Sequence, residues 1–225
     1  MDLVIFGLGQ QSSLAWYVYT HDSPHRVVAF TADASHCDRA HLHGCPVVAF
    51  ENLASRFPPG SSLLSIPIGW RGMNALRRQR LEQARRMGYG FASYVSSRAL
   101  VCPDLLVGEN TMIHDGVIVQ PFARIGSNCM LRAGSIVSHH AVIGDHCFVA
   151  AGAMVAGAAT IGEACVLGLG CAVRDGVRVA PRCFLGAGAV VLSDTSENGV
   201  YTGSPARRRA QPADALDTVQ WAAPA

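Results

Sequence analysis

From Val101 onward, every sixth residue is aliphatic without a break. The column runs Val101, Val107, Ile113, Val119, Ile125, Leu131, Val137, Ile143, Val149, Val155, Ile161, Leu167, Val173, Val179, Leu185 and Val191. A second column of the same period runs Ala123, Cys129, Ser135, Ala141, Cys147, Ala153, Ala159, Cys165, Cys171, Val177, Cys183, Ala189 and Thr195, each small or β-branched. A hexad with one aliphatic and one small residue predicts a parallel β-helix, of the left-handed hexapeptide type. Each hexad supplies one short strand and one turn, and three hexads close a triangular coil of 18 residues. The aliphatic residue fills the prism interior, and the small one lets the chain round a tight corner.

Residues 1–97 ignore the hexad. DLVIFG (2–7), HRVVAFTAD (25–33), CPVVAF (45–50) and SSLLSIPIG (61–69) read as strands. GLGQQSSLAWYVY turns from the first strand into a helix, and Met73 to Met87 reads as a second helix with Leu76, Leu81 and Ala84 on its inner face. Strands alternating with helices predict a small, parallel, Rossmann-like α/β module. The expected organisation is therefore a module over 1–97, a left-handed β-helix over 98–203 and a tail over 204–225.

Composition narrows the function. Half the residues are hydrophobic, 15% are charged and the formal net charge is +2, which gives no footprint for nucleic acid. The arginine pairs Arg77-Arg78 and Arg85-Arg86 are expected on solvated helix faces. There is no lysine, so no P-loop lysine, Schiff base or lysine general base is available. MDLVIFGLGQ has no basic n-region, and no apolar run reaches a membrane span, so a cytoplasmic protein with reduced thiols is expected. Of eight cysteines, five (Cys129, Cys147, Cys165, Cys171, Cys183) fall in the small column and are expected to be buried thiols. Cys37, Cys45 and Cys102 fall outside it.

Three features carry candidate chemistry. GLGQQS (7–12) is half a dinucleotide fingerprint, with Ser12 where a third glycine would stand. Gly7, Gly9 and Gln10 nonetheless set free N–H groups at a helix start, an anion site, and Asp33 ends the second strand, where a ribose or base would be held. Stepping by 18 gives a glycine column, Gly116, Gly134, Gly152, Gly170 and Gly188, at one turn position that calls for positive φ. Finally, His139 and His140 interrupt GSIVSHHAVIGDHCFV between inward Val137 and corner Ala141, which predicts that both point out of the prism. His114 and His146 are expected as ordinary turn residues.

The domain order, SHHAVIG (138–144) and GSPAR (203–207) resemble the bacterial sugar acyltransferases that include sialic acid O-acetyltransferases and nucleotide-4-amino-sugar N-acetyltransferases. The resemblance implies acyl-CoA, expected to be acetyl-CoA, as cosubstrate, a nucleotide-linked sugar held by the first module, no metal, and a homotrimer with sites between neighbouring prisms. It assigns the general base to His139, just before VIG. Many members carry Asp or Glu after that histidine; here the position is His140, a candidate to share its role. Gly157, one coil on from His139, would offer its N–H to the oxyanion. Gly152, Gly170 and Gly188 would line a groove for the pantetheine arm, and Arg207 would meet CoA phosphates.

Two other classes remain open at this stage. One is a non-catalytic trimeric scaffold. The other is a zinc enzyme of the gamma carbonic anhydrase type, which needs three spaced histidines that the β-helix does not supply.

Overall fold

The computed structural model describes residues 1–215. The first module is a six-stranded sheet in the order β3-β4-β2-β1-β5-β6. Its strands are β1 (Asp2–Phe6), β2 (Arg26–Ala32), β3 (His41–Leu42), β4 (Cys45–Ala49), β5 (Ser62–Ser65) and β6 (Gly90–Phe91). All pairs are parallel except β3 with β4. Helix α1 (Gln10–His21) follows β1, and α3 (Ala75–Arg86) follows the one-turn α2 (Leu53–Arg56) and β5. The expected strand over 61–69 stops at Ser65, because Ile66, Ile68 and Gly69 turn their backbone to side chains instead of a sheet neighbour. The β2 to β4 connection is a 3-10 turn and a hairpin rather than a helix.

The second module is a left-handed parallel β-helix with three flat faces. Two-residue strands pair with those 18 residues on: Ile136 opposite Met154, Val142 opposite Thr160, Phe148 opposite Val166. In each strand the second residue points inward, so the predicted aliphatic column forms one continuous core with the five column cysteines, all buried. The first residue of each strand points out, and each face has its own fate.

On face one the outer row Met112, Met130, Phe148, Val166 and Phe184 packs into a cluster with Leu3, Ile5, Val18, Tyr19 and Phe30 of the α/β module. On face two the row is Leu100, Ile118, Ile136, Met154, Ala172 and Val190, wholly apolar and uncovered, with Leu100 67% and Met154 44% exposed. On face three it is Arg124, Val142, Thr160 and Arg178. Tyr94–Val95 already pairs with Met112–Ile113, and beyond residue 203 the strand Arg207–Pro212 runs antiparallel to Gly199–Thr202. Trp221, in the expected tail, lies outside the described residues.

Each corner carries one left-handed residue per coil, the device by which the chain turns. Gly116, Gly134, Gly152, Gly170 and Gly188 have φ between 61° and 70°, as the glycine column requires. The other two corners use Phe122, His140 and Ala158, and Asn110, Asn128, His146, Ala164 and Arg182, in the same conformation.

One expectation fails at the seam between modules. Arg77 is not on a solvated face; it is fully buried. Its guanidinium donates to the carbonyls of Ile68, Gly69, Asn128, His146 and Cys147, tying α3 and the loop after β5 to one corner of the prism. Burial pushes its pKa down to about 10, so the cation persists at neutral pH and is held by carbonyl dipoles, with no carboxylate partner among the described residues. Asn74, also buried, reaches the same corner one coil on through Ala164 and Cys165.

Candidate active site

His139 and His140 occupy the exposed corner between faces two and three, opposite the face that the α/β module covers. His139 takes its backbone N–H to Gln120 Oε1 at 2.9 Å. Its Nδ1 lies 3.2 Å from His140 Nδ1, with the rings near perpendicular at 84°. A hydrogen carried on His139 Nδ1 and directed at His140 Nδ1 would leave the His139 Nε2 lone pair free. The ring of Phe122, one coil earlier than His140, sits 4.8 Å from that imidazole and braces it from below.

The Nε2 edge of His139 faces Gly157. A Cβ built on Gly157 would lie 2.9 Å from His139 Nε2 and 3.1 Å from Asp175 Oδ1, so only glycine leaves room between imidazole and carboxylate. The Gly157 N–H, expected to await an oxyanion, here donates to Asp175 Oδ1 at 2.9 Å. His139, Gly157 and Asp175 are thus one column, each 18 residues from the next. Asp175 was missed in the sequence although the same step that found Gly157 leads to it. Gln120 carried no signal, since it stands in the column of Ser138, and Phe122, one coil before His140, was missed although the same 18-residue step leads to it.

The other expected residues lie elsewhere. Gly7 has φ +102°, and a Cβ on it would stand 2.4 Å from Ser12 Oγ. Ser12, in the place of a third glycine, is buried and donates to the Phe6 carbonyl, tightening the turn. Gly9 is the N-cap of α1, Gln10 opens the helix, and no side chain caps it. Asp33 Oδ2 accepts from Arg80 at 2.7 Å, so one carboxylate oxygen is already engaged. This set rides on the module that covers face one, and one chain does not bring it to His139. Gly152, Gly170 and Gly188 form the corner between faces one and two. Beside that corner an apolar cavity of ≈ 240 Å³ opens between Trp70 of the first module and Phe148, Gly168, Leu169 and Phe184 of the prism. Arg207 is exposed opposite Thr202 at the last coil.

His114 is corrected: it is not an open turn residue but 6% exposed beneath Tyr94. Arg132 Nη1 donates to its Nε2 at 3.1 Å. Burial first, then Arg132, pushes its pKa down to about 4. His146 is a turn residue as expected, with Nδ1 2.9 Å from Asn128 Nδ2. The prism histidines therefore stand at separate places, apart from the His139–His140 pair.

Residues 104–139 and 123–157 match the bacterial transferase hexapeptide family of six repeats, and residues 158–193 match the hexapeptide repeat of succinyl-transferase. No curated relative matches the chain by sequence. PerB from Caulobacter crescentus, solved with CoA and GDP-perosamine, is 25% identical with a TM-score of 0.83, covering 93% of this chain and 97% of its own. A histidine-to-asparagine variant of perosamine N-acetyltransferase from the same organism, with the same two ligands, is 27% identical with a TM-score of 0.84, covering 94% and 98%. The acetyltransferase domain of PglB from Neisseria gonorrhoeae has the same fold, at 20% identity, a TM-score of 0.80, and 92% and 99% coverage.

Proposed function

We propose that this chain, which belongs to the hexapeptide-repeat bacterial sugar acyltransferases, moves the acetyl group of acetyl-CoA to the amine of a nucleotide-linked amino sugar, with His139 as general base. The observation that carries the reading is the His139 imidazole, tethered at Nδ1 by His140 and open at Nε2 over Gly157, in a fold shared along nearly its whole length with a perosamine N-acetyltransferase.

Acetyl transfer from a thioester needs a neutral nitrogen, and an aliphatic amine near neutral pH is mostly ammonium. His139 Nε2 takes one proton from that ammonium, and the hydrogen bond to His140 Nδ1 stabilises the imidazolium so formed. The freed amine attacks the thioester carbonyl and forms the C–N bond. The tetrahedral oxyanion is met by the Gly157 N–H, one coil on from His139. Collapse breaks the C–S bond; the departing CoA sulfur takes up one proton, the amide nitrogen loses its second, and one proton per turnover goes to solvent.

The uncovered apolar face supports the trimer. Face one is covered by the chain's own module and face three is largely polar, which leaves the Leu100-to-Val190 row of face two for identical copies. The corner His139 shares with that face would then meet the glycine corner and the α/β module of a neighbour. Each site would take its base from one copy and Gly7, Gly9, Gln10 and Asp33 from the next, with Gly152, Gly170 and Gly188 lining the arm of the CoA and Arg207 at its phosphates.

The test is product formation. Purified protein is incubated with acetyl-CoA and GDP-, UDP- or dTDP-linked 4-amino sugars, and products are read by mass spectrometry. One of these sugars gains an acetyl group and its 4-hydroxyl analogue does not; no acetylated product across the set refutes the reading.

A further inference from the structure

We propose that Asp175 is the carboxylate that binds the acceptor nitrogen as an ammonium ion, which makes this site selective for an amine over a hydroxyl. The proposal rests on His139 being the base. Asp175 lies two coils from His139 in the same column, with the side-chain-free Gly157 between them. The point that a Gly157 Cβ would occupy is within 2.9 Å of the imidazole Nε2 and 3.1 Å of the Asp175 Oδ1. The two acceptors therefore lie no farther apart than the sum of these distances, a span that one nitrogen in van der Waals contact with the Gly157 backbone bridges.

Charge decides what fits there. Asp175 is exposed and makes no ion pair among the described residues; its one hydrogen-bond donor is the Gly157 N–H. The nearby Arg178 points its backbone N–H at Asp194, and neither residue neutralises Asp175. A hydroxyl brings one O–H to two acceptors and leaves one unmet. An ammonium brings three N–H donors and a positive charge, so it satisfies both at once. Held by Asp175, the ammonium presents one N–H to His139 Nε2, which removes it.

The same contact governs the oxyanion donor. In the resting chain the Gly157 N–H belongs to Asp175. When the carboxylate turns to the ammonium, that N–H is released to the thioester oxygen. The acceptor's charge thus readies the donor that its own attack requires.

The experiment is steady-state kinetics of the wild type, Asp175→Asn and His139→Asn with acetyl-CoA and the same set of nucleotide-linked 4-amino sugars. The 4-hydroxyl analogue of the active sugar serves as competitive inhibitor. Asp175→Asn keeps the shape and an acceptor for Gly157 but loses the charge. It raises KM for the amino sugar about tenfold, leaves KM for acetyl-CoA within about twofold, and leaves inhibition by the hydroxyl analogue unchanged. A rise under about threefold, or an equal shift for amine and hydroxyl analogue, overturns the assignment of Asp175 while the base stands on His139→Asn alone. Full turnover in His139→Asn refutes the base, and the Asp175 proposal falls with it. The same holds if the wild type acetylates no sugar in the set.

Discussion

A Cβ on Gly157 would stand 2.7 Å from His139 Cε1, inside any normal carbon–carbon contact. The imidazole is therefore placed by what the neighbouring coil lacks. Gly157→Ala should preserve the coil, since the glycine's φ lies outside the left-handed range. It should displace the ring and close the slot. We expect kcat to fall about 10²-fold with the melting temperature little changed. Unchanged kcat in Gly157→Ala would show that the slot above His139 is not used.

The apolar row of face two predicts an oligomer that activity depends on. Met154, 44% exposed in the single chain, is the test position. Met154→Arg places a charge in the middle of the row, and burying it unpaired against a second copy is prohibitive. The variant should sediment as a monomer with its fold intact and, with base and sugar module drawn from different copies in the proposed trimer, lose turnover. A monomeric wild type, or a monomeric variant that keeps full turnover, contradicts this.

His114 predicts an acid-sensitive seam. Its pKa falls from 6.5 unfolded to about 4 folded, so between those values the unfolded chain binds the extra proton. Stability from this group is full above pH 6.5 and is lost as pH drops toward 4. The full shift is worth about 3 kcal/mol, of which about 2 kcal/mol is lost between pH 7 and pH 4.5. His114→Gln keeps an acceptor for Arg132 without titrating. Urea midpoints at pH 7 and pH 4.5 should converge in the variant by that amount relative to wild type. His146, also pushed down by burial, acts in the same direction but is present in both proteins. Asp22, held at about 2 by hydrogen bonds from Ser97 first and then Tyr94, contributes stability that is lost only below its ordinary 3.8.

The prism was legible because its rule is periodic: one spacing sets the inward row, the cysteine column and the left-handed glycines together. Gly157 was legible for the same reason, standing 18 residues on from His139, while His139 and His140 stood out as a polar break in the hexads. What escaped were contacts between periods or between modules. Arg77 reads as one more exposed helix arginine, and only tertiary structure supplies the five carbonyls that bury it. His114 looks like His146 in sequence; Tyr94 and Arg132 make it a buried neutral ring. Phe122, one coil before His140 but a bulky residue at φ 66°, gave no hint by its type that it braces that ring.

The most direct measurement of the central claim is acetyl transfer by His139→Asn against wild type, with acetyl-CoA and the active nucleotide-linked amino sugar, followed by mass spectrometry. Asparagine fits the exposed corner and cannot take the proton. The account predicts a loss of ~10²–10⁴ in kcat with the amino sugar still bound and the oligomeric state of the wild type retained. Turnover within a few-fold of wild type would mean that His139 is not the base.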